Sequence, residues 1–242
     1  MADAIFAEPR LAAVYDAFDS DRSDLDAYTA LVDEFAAQSV LDIGCGTGTL
    51  ACLLAARGVA VVAVDPAAAS LDVARAKVGA QRVRWLHGDA TNLPPLQVDL
   101  ATMTGNVAQV FLSDQQWQQT LRGVRAALRP GGRIVFETRD PAAQAWLGWK
   151  RETSFKRVEV PDVGAVEGWV EVLDVRSNLV TFRQTYVFAS DGAVLTSDST
   201  LRFRGRDEVA DSLLAADLTL EDVRDAPDRP GLEFVFIARR QH

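Results

Sequence analysis

Residues 40–48 read Val40-Leu41-Asp42-Ile43-Gly44-Cys45-Gly46-Thr47-Gly48: a short, mostly apolar run, then glycine at every second position. So brief an apolar run bounded by glycine suits a strand buried on both faces better than a helix. Thr49 to Arg57 follows with an apolar, helix-forming composition, and Gly58 stands where a left-handed residue would end that helix. Strand, tight glycine turn and helix in direct succession open a βαβ unit. Glycine serves such a turn by allowing φ > 0 and by letting a ligand approach the backbone without a Cβ in the way. The helix start behind it offers unpaired amides. A strand-to-helix turn can be glycine-rich without any ligand, so the loop by itself leaves both readings open.

Downstream, the alternation repeats. Val59 to Val64 is a near-continuous apolar strand, and Asp65-Pro66 opens a helix with Pro at its first position. Val83 to Leu86 and Val98 to Met103 are the third and fourth strands. Ser113-Asp114-Gln115-Gln116 has capping-box form and starts a helix to about Leu128. Arg129-Pro130-Gly131-Gly132 stops it, and Arg133 to Thr138 is the fifth strand. Upstream, Leu11 to Phe35 reads as one helix, with Leu25, Tyr28, Leu31, Val32 and Phe35 on one face. The order predicts an α/β, doubly wound, mostly parallel sheet.

After Pro141 the period changes. Residues 150–206 show two-residue alternation, with strands expected at Trp169 to Val175, Leu179 to Phe188 and Val194 to Phe203. Ser177-Asn178 and Ser190-Asp191-Gly192 are the expected turns. Asp207 to Ala216 returns to helix, and Leu218 to Val223 and Phe234 to Ala238 complete a seven-stranded sheet. The expected organisation is an N-terminal helical cap (1–37), a cofactor-binding core (38–145), an antiparallel β insertion (146–206), and a C-terminal helix and strand pair (207–242).

Composition narrows the function. Of 242 residues, 48% are hydrophobic and 24% charged, which excludes a disordered or collagen-like chain. No apolar run approaches the roughly 18 residues that span a bilayer, and the N-terminus lacks a secretory pattern. A cytoplasmic protein with no membrane partner is expected. The net charge of −9 argues against nucleic acid as a partner. Cys45 and Cys52 form no C-x-x-C pair, so neither a disulfide framework nor a metal site is expected.

Two acidic residues join the glycine loop at the carboxyl edge of the sheet, where ligands bind in open α/β folds. Asp65 ends the second strand, where a carboxylate can accept from ribose hydroxyls; the lesser alternative is an ordinary helix N-cap before Pro66. Asp89, in His87-Gly88-Asp89-Ala90, follows the third. A dinucleotide fingerprint would place a glycine at 49, where this chain has Thr49. On these residues, together with Val64-Asp65 and Leu128-Arg129-Pro130-Gly131-Gly132, the chain resembles the class I S-adenosylmethionine-dependent methyltransferases. The resemblance covers about residues 38–140 and the last strand pair. Over the insertion it is looser, to small-molecule methyltransferases with an added β-sheet lid.

The resemblance implies a Rossmann-like methyltransferase fold and S-adenosylmethionine as cofactor, giving S-adenosylhomocysteine. It implies cofactor contacts from Gly44, Cys45, Gly46 and Gly48 (methionine part), Asp65 and Pro66 (ribose), and Asp89 and Ala90 (adenine). Thr104 and Asn106 would lie near the sulfonium and the acceptor. Asp42 either balances the methionine ammonium or is structural. Tyr15 and Arg22 are candidates to close over the cofactor. The implied activity is methyl transfer to a small molecule, with nitrogen or oxygen favoured over carbon. A non-catalytic cofactor-binding or scaffold protein of the same fold, and an NAD-type oxidoreductase, are the alternatives.

No residue announces itself as a general base, and the catalytic set stays unassigned. His87 reads as structural. Trp146, Trp149 and Arg139 are candidate acceptor contacts, the tryptophans also suiting lid packing and Glu137 and Arg139 a strand edge. Arg202, Arg204 and Arg206 alternate, which fits a solvated strand face or a receptor for an anionic acceptor.

Overall fold

The computed structural model describes residues 2–241. Seven strands form the main sheet: β1 (Ser39–Ile43), β2 (Ala60–Asp65), β3 (Val83–His87), β4 (Val98–Met103), β5 (Leu128–Arg139), β10 (Leu218–Asp225) and β11 (Glu233–Arg240). Their order is β10-β11-β5-β4-β1-β2-β3, with only β11 antiparallel to its neighbours. The expected doubly wound fold is therefore present. Because β1 to β5 are parallel, the loops after Ile43, Asp65, His87, Met103 and Arg139 share one edge, which the start of β11 joins.

Helices cover both faces. On one, α6 (Asp114–Ala127) and α8 (Arg206–Leu214) bury Trp117, Leu121, Val124, Val209 and Leu213 against Met103, Phe136 and Phe236. On the other, α3 (Asp24–Glu34) and α4 (Thr49–Ala56) pack Leu25, Tyr28, Leu31, Leu50 and Leu54 against Val40, Leu100 and Val135. The capping box at Ser113 and Gln116 forms as its sequence dictates. Gly58, with φ of +88°, follows α4.

The structure departs from the sequence expectations at five places. Strand β5 starts at Leu128, so Arg129-Pro130-Gly131-Gly132 lie within it and not ahead of it. The single N-terminal helix is three: α1 (Ala4–Ala7), α2 (Pro9–Phe18) and α3. The break after Phe18 falls in a polar stretch where the Asp21 carboxylate accepts from the Ser23 amide, a side-chain partner that competes with helix, as the chain passes from the insertion core to the main sheet. Helix α5 (Ala68–Ala76) starts two residues after Pro66, because Asp65 instead takes the Ala67 amide in a local turn. The insertion has a fourth strand, β6 (Lys156–Val160), and β7 (Gly164–Arg176) begins earlier than its alternation suggests. Gly164, Gly168 and the β7 bulge between Val172 and Asp174 interrupt that pattern.

With β8 (Leu179–Phe188) and β9 (Val194–Arg202), these strands make a separate antiparallel sheet in the order β6-β7-β8-β9. It does not stand alone. Ile5, Leu11 and Val14 from α1 and α2 share a core with Val160, Val166, Tyr186 and Phe188. The Ile5 amide donates to Ser197 Oγ at 2.9 Å. A Cβ at Gly168 would lie 2.6 Å from the Phe18 ring, so glycine is what admits α2 so closely. The N-terminal helices are thus held between the insertion and the main sheet, where α2 also contacts α5.

Candidate functional site

One cavity of about 950 Å³ lies over the carboxyl edge, bounded by α1, α2, the post-strand loops and the inner face of the antiparallel sheet. It is at the upper end of the roughly 300–1,000 Å³ of small-molecule sites.

Its floor is the glycine loop. The Gly44 and Cys45 amides both donate to the Val64 carbonyl, which fixes the turn against β2. The three glycines do different work. All have positive φ, but a Cβ at Gly44 would strike Val107 at 2.6 Å and one at Gly48 would strike the Trp85 ring at 2.5 Å. Only at Gly46 would a Cβ meet open space. Gly48 accordingly does not line the cavity, whereas Gly44, Cys45 and Gly46 do. Its place as a cofactor contact gives way to close packing of α4 on β3 and α5.

Asp65 is buried, and its two carboxylate oxygens accept from the Gly46 and Ala67 amides, both at 2.8 Å. Burial raises its pKa and those two amides lower it. Each oxygen keeps a further lone pair for a ligand donor. Asp89 is exposed at the cavity rim and accepts from the Thr91 amide and hydroxyl. Pro66, Ala90, Thr104 and Asn106 line the same cavity.

Asp42 is fully buried beside Thr102, its cross-strand partner on β4, whose hydroxyl donates to it at 3.0 Å. Burial pushes this carboxyl up to about 7, against the lowering effect of the Thr102 hydrogen bond, with Asp65 adding repulsion. Tyr15 lines the cavity from α2, its phenol pushed up to about 12 by burial. Arg22 also lines it, held by Asp19 and Asp24. Sequence reasoning missed Asp16, which accepts from Thr47 Oγ1 at 2.6 Å and pairs with Lys77 at 2.6 Å, pinning α2 to the glycine loop.

Across the cavity lie Arg139, Trp149, Val170, Phe182, Gln184, Asp198 and Thr200. Trp149 stacks edge-on with Phe182 at 4.8 Å, and the Arg139 guanidinium lies 5.3 Å from the Trp149 ring centre. Trp146 does not reach the cavity. It is buried against Phe203 and Val180, in a small apolar cluster of the insertion. Phe182 and Gln184 were invisible to sequence reasoning because alternation says that a strand has two faces, not which one meets a ligand.

Beneath this wall runs a buried polar network. Glu137 accepts from the Tyr28 hydroxyl at 2.5 Å and the Asn106 amide at 3.1 Å. Glu233 accepts from Asn106 Nδ2 and, at 2.7 Å, from Arg229. Asn106 holds φ of +61°, and its Oδ1 is buried without a partner among the described residues. Glu137 therefore anchors the loop after β4 and does not line the cavity. His87 contacts the Pro66 carbonyl at 3.0 Å, outside the cavity lining.

The three alternating arginines have separate fates, because β9 ends at Arg202. Arg202 pairs with Asp114 and Glu208 and donates to the Leu112 carbonyl. Arg204, 3% exposed in its side chain, donates to the Phe111 carbonyl at 2.7 Å. Only Arg206 is exposed. The first two latch the insertion to the entrance of α6, neither forming a solvated face nor lining the cavity.

Among the described residues no group of His, Cys, Asp or Glu has the spacing to hold a metal ion, and no helix is long and apolar enough to cross a membrane. The open cradle at Gly46, the acidic edge and the size of the cavity fit a nucleoside carrying positive charge.

Comparison with known proteins agrees with this geometry. Residues 40–132 match the family described as a methyltransferase domain. The cypemycin N-terminal methyltransferase of a Streptomyces species is 38% identical over 108 residues, covering 43% of this chain and 43% of that protein. The chain thus spans under half the length of that curated relative. Among solved structures, an S-adenosylmethionine-dependent methyltransferase from Clostridium acetobutylicum superposes with a TM-score of 0.76 at 18% identity, covering 97% of this chain and 99% of that one. CalS10 of Micromonospora echinaspora, described as an amino pentose methyltransferase with S-adenosylmethionine bound, gives a TM-score of 0.67 at 20% identity, covering 92% and 93%. Residues 40–132 thus match a methyltransferase domain, and the described chain has the Rossmann-like methyltransferase fold with a β insertion.

Proposed function

We propose that this chain is an S-adenosylmethionine-dependent methyltransferase that acts on a small molecule. The observation that carries the proposal is the single cavity joining the glycine-loop edge to the inner face of the insertion. Such a cavity has room for a nucleoside cofactor and an acceptor side by side. When bound, S-adenosylmethionine supplies a methyl group on a positively charged sulfur.

In this reading Gly46 admits the methionine part, with Asp42 facing its ammonium. Asp65 accepts from the ribose, while Asp89 and Ala90 meet the base. Tyr15, Arg22 and Pro66 close the site around the cofactor. Thr104 and Asn106, on the loop that Glu137 anchors, border the acceptor. The antiparallel sheet and α2 exclude water and hold the acceptor for in-line attack, so positioning supplies much of the acceleration.

The described residues lining the cavity include no histidine, and Asp198 is tied to Arg183 by two hydrogen bonds. That favours an acceptor attacking through a free lone pair, nitrogen before oxygen and either before carbon, since it needs no base at the moment of attack. Residues 1–37, 38–145, 146–206 and 207–242 would act as cap, cofactor core, acceptor lid and sheet completion. The charge balance suits no nucleic-acid partner, and free Cys45 and Cys52 suit a reducing cytoplasm.

Calorimetric titration with S-adenosylmethionine, S-adenosylhomocysteine and NAD tests the proposal. Micromolar binding of both adenosyl compounds without NAD is expected. Binding of NAD alone would overturn it, and Asp65→Ala should weaken the adenosyl compounds about tenfold through loss of charge-assisted hydrogen bonds.

A further inference from the structure

The cavity wall is uneven in charge. Its described lining carries five carboxylates (Asp3, Asp42, Asp65, Asp89 and Asp198) and two cationic side chains, Arg22 and Arg139. Arg22 is spent on Asp19 and Asp24. Arg139 is not spent in the same way. Its Nη1 donates to Gln109 Oε1 at 2.9 Å, and its Nε lies 3.5 Å from Glu233 Oε1. Glu233 in turn holds Arg229 at 2.7 Å and the Asn106 amide group.

Among the described residues Arg139 Nη2 has no hydrogen-bond acceptor, and it is not sealed inside protein. The side chain is only 19% exposed, and burial pushes its pKa down, so the charge is held there at a cost. A guanidinium so placed is completed by an acceptor supplied from the cavity, and a carboxylate matches its planar donors. Trp149 and Phe182 stand beside it as flat apolar surface, with Gln184 as a polar contact further along β8.

We propose that the acceptor half of this cavity recognises a small monocarboxylate with a planar or apolar body, the carboxylate on Arg139 and the body on Trp149 and Phe182. The inference rests on the reading of the cavity as a two-ligand site. A phosphate or diphosphate group does not fit, because one partly balanced arginine among five carboxylates cannot neutralise two or more charges. Arg139 acts as a binding residue that sets specificity, and the methyl-accepting atom lies elsewhere on the molecule.

The test uses benzoate, benzamide and phenyl phosphate as probes, titrated calorimetrically into the full chain, alone and saturated with S-adenosylhomocysteine. Benzoate should bind at least tenfold tighter than benzamide and tighter than phenyl phosphate. Arg139→Gln should erase the preference for benzoate, Arg139→Lys should restore part of it, and Trp149→Leu should weaken benzoate and benzamide alike. No binding of benzoate, equal binding of benzoate and benzamide, or tighter binding of phenyl phosphate would overturn the inference. A preference that survives in Arg139→Gln would do the same. If that variant does not fold, the wild-type contrast between benzoate and benzamide decides. Titration with S-adenosylhomocysteine alone reports on the methyltransferase reading, so the two can fail separately.

Discussion

The two walls of the cavity are built on different principles. The glycine-loop edge is assembled from loops that each directly follow a parallel strand, so Gly46, Asp65 and Asp89 reach one place because β1, β2 and β3 are in register. The opposite wall is assembled from distant pieces of chain. Ile5 bonds to Ser197, Arg202 to the Leu112 carbonyl, and Trp149 stacks on Phe182, joining segments that no local pattern relates. A wall made by register resists change in any neighbouring element, whereas a wall made by latches depends on a few side chains. Loops carried by a rigid sheet can vary without losing the fold, which is the usual division between scaffold and specificity.

Four substitutions or conditions would break or sharpen this contrast. Gly48→Ala should have the largest effect, a loss of about 3 kcal/mol in urea unfolding, from left-handed strain plus overpacking against Trp85. The folded fraction should still bind S-adenosylhomocysteine normally, since Gly48 lies outside the cavity lining. A selective loss of affinity would contradict the packing role.

Arg204→Ala should cost about 2 kcal/mol, because it removes the charged donor from the buried Ala108 carbonyl and the half-buried Phe111 carbonyl. Limited proteolysis should then cut within the insertion before the main sheet. Simultaneous cleavage of both would show that the latch does not separate the two regions.

Gly46→Ala should cost only about 1 kcal/mol of stability, from the strain of its positive φ. Its methyl group would project into the cavity, however, and affinity for S-adenosylhomocysteine should fall about tenfold. Unchanged affinity would remove the cradle from the cofactor site.

The smallest effect is expected from pH. With its carboxyl raised to about 7 by burial, Asp42 gains a proton as pH falls from 8 to 6 and can no longer balance an ammonium. Cofactor affinity should therefore drop several-fold over that interval, and Asp42→Asn should flatten the profile. The same raised pKa means that the folded state binds the proton more tightly than the unfolded chain. Asp42 thus lowers stability as pH rises through the window from the ordinary carboxylate range to about 7. A profile unchanged by Asp42→Asn would assign the dependence to another group.

The contrast also explains what was legible in the chain itself. Residues 40–48, the strand ending at Asp65 and the capping box at Ser113 encode their structures within a few residues. Turn chemistry and strand burial are local consequences of composition. The sheet, its edge and the acidic companions of the glycine loop could be read on that basis. The break at Asp19, the strand β6 and the separate duties of Gly44, Gly46 and Gly48 could not. Each depends on what packs against it: the two separate cores that receive α2 and α3, β7 beside Lys156–Val160, and Val107 and Trp85 over the two outer glycines.

The fate of the arginines shows the boundary most sharply. Sequence alone set the parallel core, the acidic character of its edge and the presence of an antiparallel insertion, because backbone periodicity and glycine geometry act over neighbouring residues. Tertiary structure alone decided that Arg204 is a latch, that Arg139 faces the cavity with an unspent donor, and that Trp149 lines the cavity while Trp146 does not. A long side chain takes its role from the carbonyl, carboxylate or ring that the rest of the fold brings to it, and those partners lie tens of residues away.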